Sequence, residues 1–109
     1  MSKAVHVTTA NFEDQVLLAD QPVIVDFYAD WCGPCKMLSP VLEQLATEHT
    51  EVKIAKVNVD EEPALAERYR VRGIPYVALF KDGKLASQVV GYKPKVALEA
   101  DLGLNGNKA

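Results

Sequence analysis

Val25-Asp26-Phe27-Tyr28-Ala29-Asp30-Trp31-Cys32-Gly33-Pro34-Cys35-Lys36 joins a hydrophobic segment to a helical one, and its two cysteines are the only ones in the 109 residues. Extended back to Val23, the apolar part is nearly continuous in β-branched and aromatic residues, the pattern of a central strand covered on both faces. From Pro34 to about His49 the apolar residues Met37, Leu38, Val41, Leu42, Leu45 and Ala46 form one helical stripe, with a kink expected at Pro40. The cysteine pair therefore sits where a strand hands over to a helix.

Working outward, Ala4 to Val7 reads as a short strand. Thr8, Thr9 and Asn11 offer caps for a helix carrying Phe12, Val16 and Leu17, which Asp20-Gln21-Pro22 ends. Val52 to Val59 reads as another strand. Asp60-Glu61-Glu62-Pro63 places acidic residues and a proline where a helix start favours them, leading to Leu65, Ala66 and Tyr69. Tyr76–Phe80 and Leu85–Val90 flank Lys81-Asp82-Gly83-Lys84, whose Asp-Gly pair is a hairpin signal, and Pro94 to Leu104 is helical with Val96, Leu98 and Leu102 apolar. Strands alternating with helices, then a hairpin and a last helix, predict an α/β fold: a mixed sheet with helices on both faces. The polar end Asn105–Ala109 is expected to fray.

The bulk properties narrow the partners. A content of 49% hydrophobic residues suffices for one core without disulfide reinforcement. The net charge of -3 comes from dispersed acidic residues, with no basic stripe to neutralise phosphates, so nucleic acid is not expected. No apolar run approaches the ~20 residues needed to span a bilayer, and the start Met1–His6 lacks a signal-peptide core, so a cytoplasmic protein is expected. In that compartment thiols are kept reduced, which favours a transient, catalytic role for closely spaced cysteines over a permanent staple.

A dithiol works by thiolate attack on a partner disulfide, followed by resolution of the mixed disulfide by the second thiol. At a helix start, Cys32 is expected at the exposed end, where free N–H groups and the helix dipole stabilise a thiolate, with Cys35 one turn inside and more buried. Cys32 then reads as nucleophile and Cys35 as resolver. Pro34 suits the first helical turn, and Gly33 leaves room for a partner backbone. A zinc site built from Cys32, Cys35, His6 and His49 fails on geometry: His49 follows Cys35 by 14 residues on one helix, a rise of ~21 Å. Asp26 inside an apolar strand is either a salt-bridged carboxylate at a strand end or a buried one whose raised pKa favours the protonated form near neutral pH. Lysines placed like Lys56 more often snorkel to solvent, a lone Trp31 is more often a core aromatic, and Ile74-Pro75 alone would be an ordinary trans loop dipeptide.

Residues 25–36, together with Lys56-Val57-Asn58-Val59-Asp60, Arg72-Gly73-Ile74-Pro75, Phe80-Lys81-Asp82-Gly83 and Gly91, resemble the thioredoxin family at matching spacings over nearly the whole chain. That resemblance implies a thioredoxin-like three-layer sandwich in a single domain, 1–109. It implies reduction of protein disulfides through Cys32/Cys35 as a redox-active disulfide, with no bound cofactor or metal, and recharge by thioredoxin reductase. In the family's pattern Asp26 relays a proton to Cys35 and Lys56 partners Asp26. Pro75 is cis beside the disulfide, and Trp31, Gly33, Pro34, Ile74, Pro75 and Gly91 form the docking surface. The Gly-Pro dipeptide points to a reductant rather than an oxidase or isomerase, and a monomer is expected. Tyr28, Tyr76 and Tyr92 depart from the commonest pattern: Tyr28 is expected to affect packing, Tyr76 and Tyr92 the substrate groove. The rival reading is a binding module that uses the same apolar surface without redox chemistry.

Overall fold

The computed structural model describes residues 4–104. Its elements are β1 (Val5–His6), β2 (Val23–Tyr28), α1 (Gly33–Glu48), β3 (Lys53–Asn58), α2 (Pro63–Arg68), β4 (Tyr76–Lys81), β5 (Lys84–Val90) and α3 (Lys95–Leu102), with one wide turn of π-helix at Glu13–Leu17. The strands form a mixed sheet in the order β1-β3-β2-β4-β5. β1 and β2 run parallel to β3, while β4 is antiparallel to β2 and β5. The sheet is therefore built around β2, as its nearly continuous apolar run predicted. The expected frayed tail, Asn105–Ala109, lies outside the described residues.

Strand alternation sorts the side chains into two cores. Ile24, Val77, Leu79 and Val89 pack with Leu38, Leu42 and Leu45 of α1 and Leu98 and Leu102 of α3. Val23, Val25, Phe27, Ala78 and Phe80 pack on the other face with Phe12, Val16 and Leu65. Helices thus cover both faces of the sheet, giving the three-layer arrangement. Asp26, one residue from Val25 and Phe27 and two from Ile24, falls on the α1 face.

Several local expectations need correction. The segment after β1 is a single wide turn, with Leu18 N–H bonded to Glu13 O at 2.8 Å, and the residue at its cap, Phe12, makes no side-chain cap hydrogen bond. Asn11 instead closes the preceding turn, its Oδ1 accepting from Thr8 N–H at 2.7 Å, and Thr9 donates through N–H and hydroxyl to Glu62 Oε1. Met37 and Val96 are 61% and 69% exposed, because the buried stripes run through Cys35, Leu38, Leu42 and Leu45 in α1 and through Leu98 and Leu102 in α3. The hairpin turn is as its sequence predicted: Asp82 and Gly83 both take positive φ, 53° and 78°, as a tight antiparallel turn requires.

Candidate functional site

β2 ends at Tyr28, and the chain reaches the start of α1 in four residues. Cys32 is the N-cap of that helix, in an extended conformation, and its sulfur accepts the N–H of Cys35 at 3.1 Å. The two cysteines form a disulfide, with Cα atoms 5.3 Å apart. Pro34 occupies the first turn, where no N–H is needed. The expected difference in exposure between the cysteines is absent in this oxidised state, since each is 4% exposed. The bond holds both sulfurs in one small apolar cluster with Ala29, against which Tyr28, Val59 and Ile74 pack. What distinguishes Cys32 is its place at the cap, facing an N–H that stabilises negative charge.

The Ile74-Pro75 bond is cis, and the Pro75 carbonyl accepts the N–H of Gly91 at 2.7 Å. Gly91 has φ 95°, a conformation glycine takes without strain, so the start of the last connection is pinned to the cis-proline loop. Ile74, Pro75 and Gly91 therefore meet, and Ile74 touches the disulfide cluster. Around them Trp31 is 71% exposed, Gly33 and Pro34 are exposed, and Tyr92 is 40% exposed. The core reading of Trp31 is overturned: its indole lies at the surface, oriented by a hydrogen bond from Nε1 to Asp60 Oδ2 at 2.9 Å. Nothing lies within 4 Å of a Cβ built on Gly33, which leaves that side of the disulfide open.

Tyr76 is placed differently from the groove beside the sulfurs. Following the cis-proline, strand alternation turns its ring into the second core, edge-on to Phe27 with centroids 5.5 Å apart, and its hydroxyl donates to Gln88 Oε1 at 2.6 Å. Its side chain is buried away from the cysteine cluster.

Asp26, on the α1 face of β2, is wholly buried, and neither carboxylate oxygen has a hydrogen-bond partner. Desolvation lifts its pKa to about 6, offset in part by the charge of Lys56. The pKa is raised as expected for a carboxyl group buried in an apolar strand, and Lys56 limits the rise. Parallel register sets Asp26 opposite Lys56, and Lys56 Nζ stands 3.8 Å from Asp26 Oδ2, an ion pair beyond hydrogen-bond distance.

Ser39, which sequence reasoning missed, and Tyr28, expected only to affect packing, hold Lys56 there. Its ammonium lies 4.7 Å from the centroid of the Tyr28 ring and donates to Ser39 Oγ at 3.4 Å. Tyr28 follows Asp26 by two on the strand, and Ser39 follows Cys35 by four on the helix. Those spacings put them on the faces that meet. Tyr28, Cys35, Ser39 and Lys56 line a cavity of about 310 Å³, so the inner cysteine and the lysine share one recess. His49, by contrast, is at the far end of α1, buried with Nε2 2.7 Å from Glu99 Oε2. Among the described residues no group of three or more His, Cys, Asp or Glu side chains is arranged to hold a metal.

A disulfide across the first turn of a helix, next to a cis-proline loop in an α/β sandwich, defines a thiol–disulfide oxidoreductase. The comparisons agree. The family model described as Thioredoxin matches residues 3–103. The chain is 48% identical over 99 residues to thioredoxin 1 of Synechococcus elongatus, covering 90% of this chain and 92% of the relative. It is also 48% identical over 102 residues to the thioredoxin of Pseudomonas aeruginosa, covering 93% and 94%. The thioredoxin of Alicyclobacillus acidocaldarius matches at 48% over 97 residues, covering 88% and 91%. The chain belongs to the thioredoxin family, and its chemistry is the reduction of protein disulfides.

Proposed function

We propose that Cys32 is the nucleophile, Cys35 the resolving thiol and Asp26 the proton acceptor in that reaction. The Cys32 thiolate attacks one sulfur of a client disulfide, forming a mixed disulfide and releasing the client's first thiolate. Cys35 gives its proton to the Asp26 carboxylate by way of the recess it shares with Lys56. Its thiolate then attacks Cys32 Sγ, closing the Cys32–Cys35 disulfide and releasing the client's second thiolate. Two electrons have passed to the client. Thioredoxin reductase is the partner that returns them, and the protein acts as one domain and a monomer in the cytoplasm, where the thiol pool favours donation.

The observation that carries this division of labour is the cap geometry: Cys32 Sγ, and not Cys35 Sγ, accepts a helix N–H. Gly33 and Pro34 shape the first turn, while Trp31, Ile74, Pro75, Gly91 and Tyr92 receive the extended client segment, which adds to the backbone beside the cis-proline. Lys56 limits the rise in the Asp26 pKa, keeping a base available at neutral pH.

Trapping tests the roles. Cys35→Ser incubated with a disulfide-bonded client accumulates a covalent adduct released by dithiothreitol, and Cys32→Ser accumulates none. Adducts formed equally by both variants would refute the assignment. A redox titration of the wild type checks the direction, because a potential above about -200 mV belongs to isomerase-type proteins and not to a reductant.

A further inference from the structure

The three arginines of this chain fall within five residues, Arg68-Tyr69-Arg70-Val71-Arg72, in a protein whose net charge is -3. All three side chains are exposed, and none takes part in the ion pairs found among the described residues. They line two adjoining cavities, of about 630 and 490 Å³, in which Glu67 is the one acidic lining residue. The topology explains the second cavity. β5 is an edge strand, and α2 spans only Pro63–Arg68, so the face of β5 on the α2 side is left uncovered. Leu85 and Val90 are accordingly 41% and 56% exposed there. Tyr76, paired with Val90 in register, closes the floor with its hydroxyl held by Gln88.

The groove also has a defined direction. Arg72 and Gly73 lead straight into Ile74-Pro75, so its near end is two residues, at most ~7 Å of backbone, from the loop that touches the disulfide. Gly73 keeps that end tight against β5: a Cβ there would come within 3.2 Å of Val90 Cγ1. A client segment extended past Ile74 advances ~3.3 Å per residue, which sets residues roughly two to five positions from its reacting cysteine over the arginines.

We propose that this groove is a second recognition site, taking an acidic segment of the client polypeptide whose disulfide is being reduced. The proposal rests on the docking of clients beside Ile74-Pro75. Guanidinium groups match carboxylates with paired N–H donors, and the apolar floor accepts a neighbouring aliphatic or aromatic side chain. The rest of the surface, acidic on balance, repels such a segment, so the arginine run both speeds encounter and fixes the end from which the client enters.

The test uses two disulfide-cyclised peptides, identical except that one carries three Glu two to five positions from the attacked cysteine and the other three Gln. Each rate is normalised to that peptide's rate with dithiothreitol. At low ionic strength the reduced protein is expected to favour the Glu peptide by about tenfold, and in 0.5 M salt by less than about twofold. Arg68→Gln/Arg70→Gln should abolish the preference while leaving the Gln-peptide rate and the thermal stability unchanged. Equal rates on both peptides, or a preference that survives the double variant, would overturn the groove. Reduction of neither peptide would overturn the client-docking reading itself, so the two failures are distinguishable.

Discussion

Replacing Asp26 by Asn should stabilise the protein, and only where the carboxyl group would be ionised. The side chain is wholly buried and its oxygens have no hydrogen-bond partner, so the folded state strongly prefers the neutral acid. Its pKa rises from 3.8 to about 6, chiefly by desolvation, a difference of about 2 units. At 1.36 kcal/mol per unit, that is about 3 kcal/mol against the ionised folded protein. A raised folded pKa means the folded state binds the extra proton. The stability tied to it is fully present below pH 3.8 and lost as pH rises through 6. The gain from Asp26→Asn should therefore grow between about pH 4 and 7 and reach about 3 kcal/mol above pH 7. Any fixed penalty from the buried amide shifts the whole curve equally, leaving its pH dependence intact. Urea unfolding of the two oxidised proteins at half-unit intervals from pH 4 to 8 measures that difference. A gap that stays constant across the range would show that Asp26 is not a desolvated acid.

Lys56→Met removes the one charge that opposes this desolvation, so the Asp26 pKa should move above about 6; a carboxyl-carbon NMR titration with an unchanged midpoint would contradict the pairing. His49→Ala leaves Glu99 buried with Lys95 Nζ at 3.6 Å as its remaining partner, and a loss of about 2–3 kcal/mol is expected. A cycle with Glu99→Gln should reveal coupling of about 1 kcal/mol or more, whereas strictly additive losses would assign the effect to packing alone. Gly83→Ala should cost more than Gly103→Ala in chemical denaturation. Both have φ near 80°, but only at Gly83 would the new Cβ meet a neighbour, Leu17 O at 3.1 Å; equal losses would mean that this contact relaxes freely.

The sheet and its helices were legible because each carries a period that burial enforces. The β-branched run of β2 could only be central, and Asp82-Gly83 could only be a tight turn. The wide turn at Glu13–Leu17 was not legible, since Phe12, Val16 and Leu17 share helical spacing whether the carbonyl bonds reach four residues or five. Met37 and Val96 misled for a related reason: they are apolar and adjacent to a stripe without lying on it. At the site, spacing singled out the cysteine pair, while the cis bond at Pro75 was expected only from the family resemblance. Spacing could not supply the neighbours joined only in three dimensions. Tyr28 beside Lys56, Ser39 across from it and Asp60 beneath Trp31 depend on register and helix phase, and no run of sequence contains them.

Tyr28 and Tyr76, two departures from the common family pattern, end up doing different physical work from what their proximity to the motifs suggests. Tyr28 adjoins the cysteines in sequence, but its ring face holds the ammonium that tunes Asp26. A ring at that position keeps Lys56 beside Asp26, where its charge opposes the rise in carboxyl pKa that desolvation causes. The 3.8 Å gap, kept by Tyr28 on one side and Ser39 on the other, preserves both attraction and desolvation. Tyr76 adjoins the cis-proline, and one step of strand alternation carries it through the sheet to the arginine groove. The strand alternation that turns Asp26 to the α1 face thus also gives the protein a second surface on the opposite face, continuous with the first through Gly73 and Ile74. Changes at Tyr76 and its arginine neighbours can then alter which clients are reduced while leaving the sulfur chemistry alone.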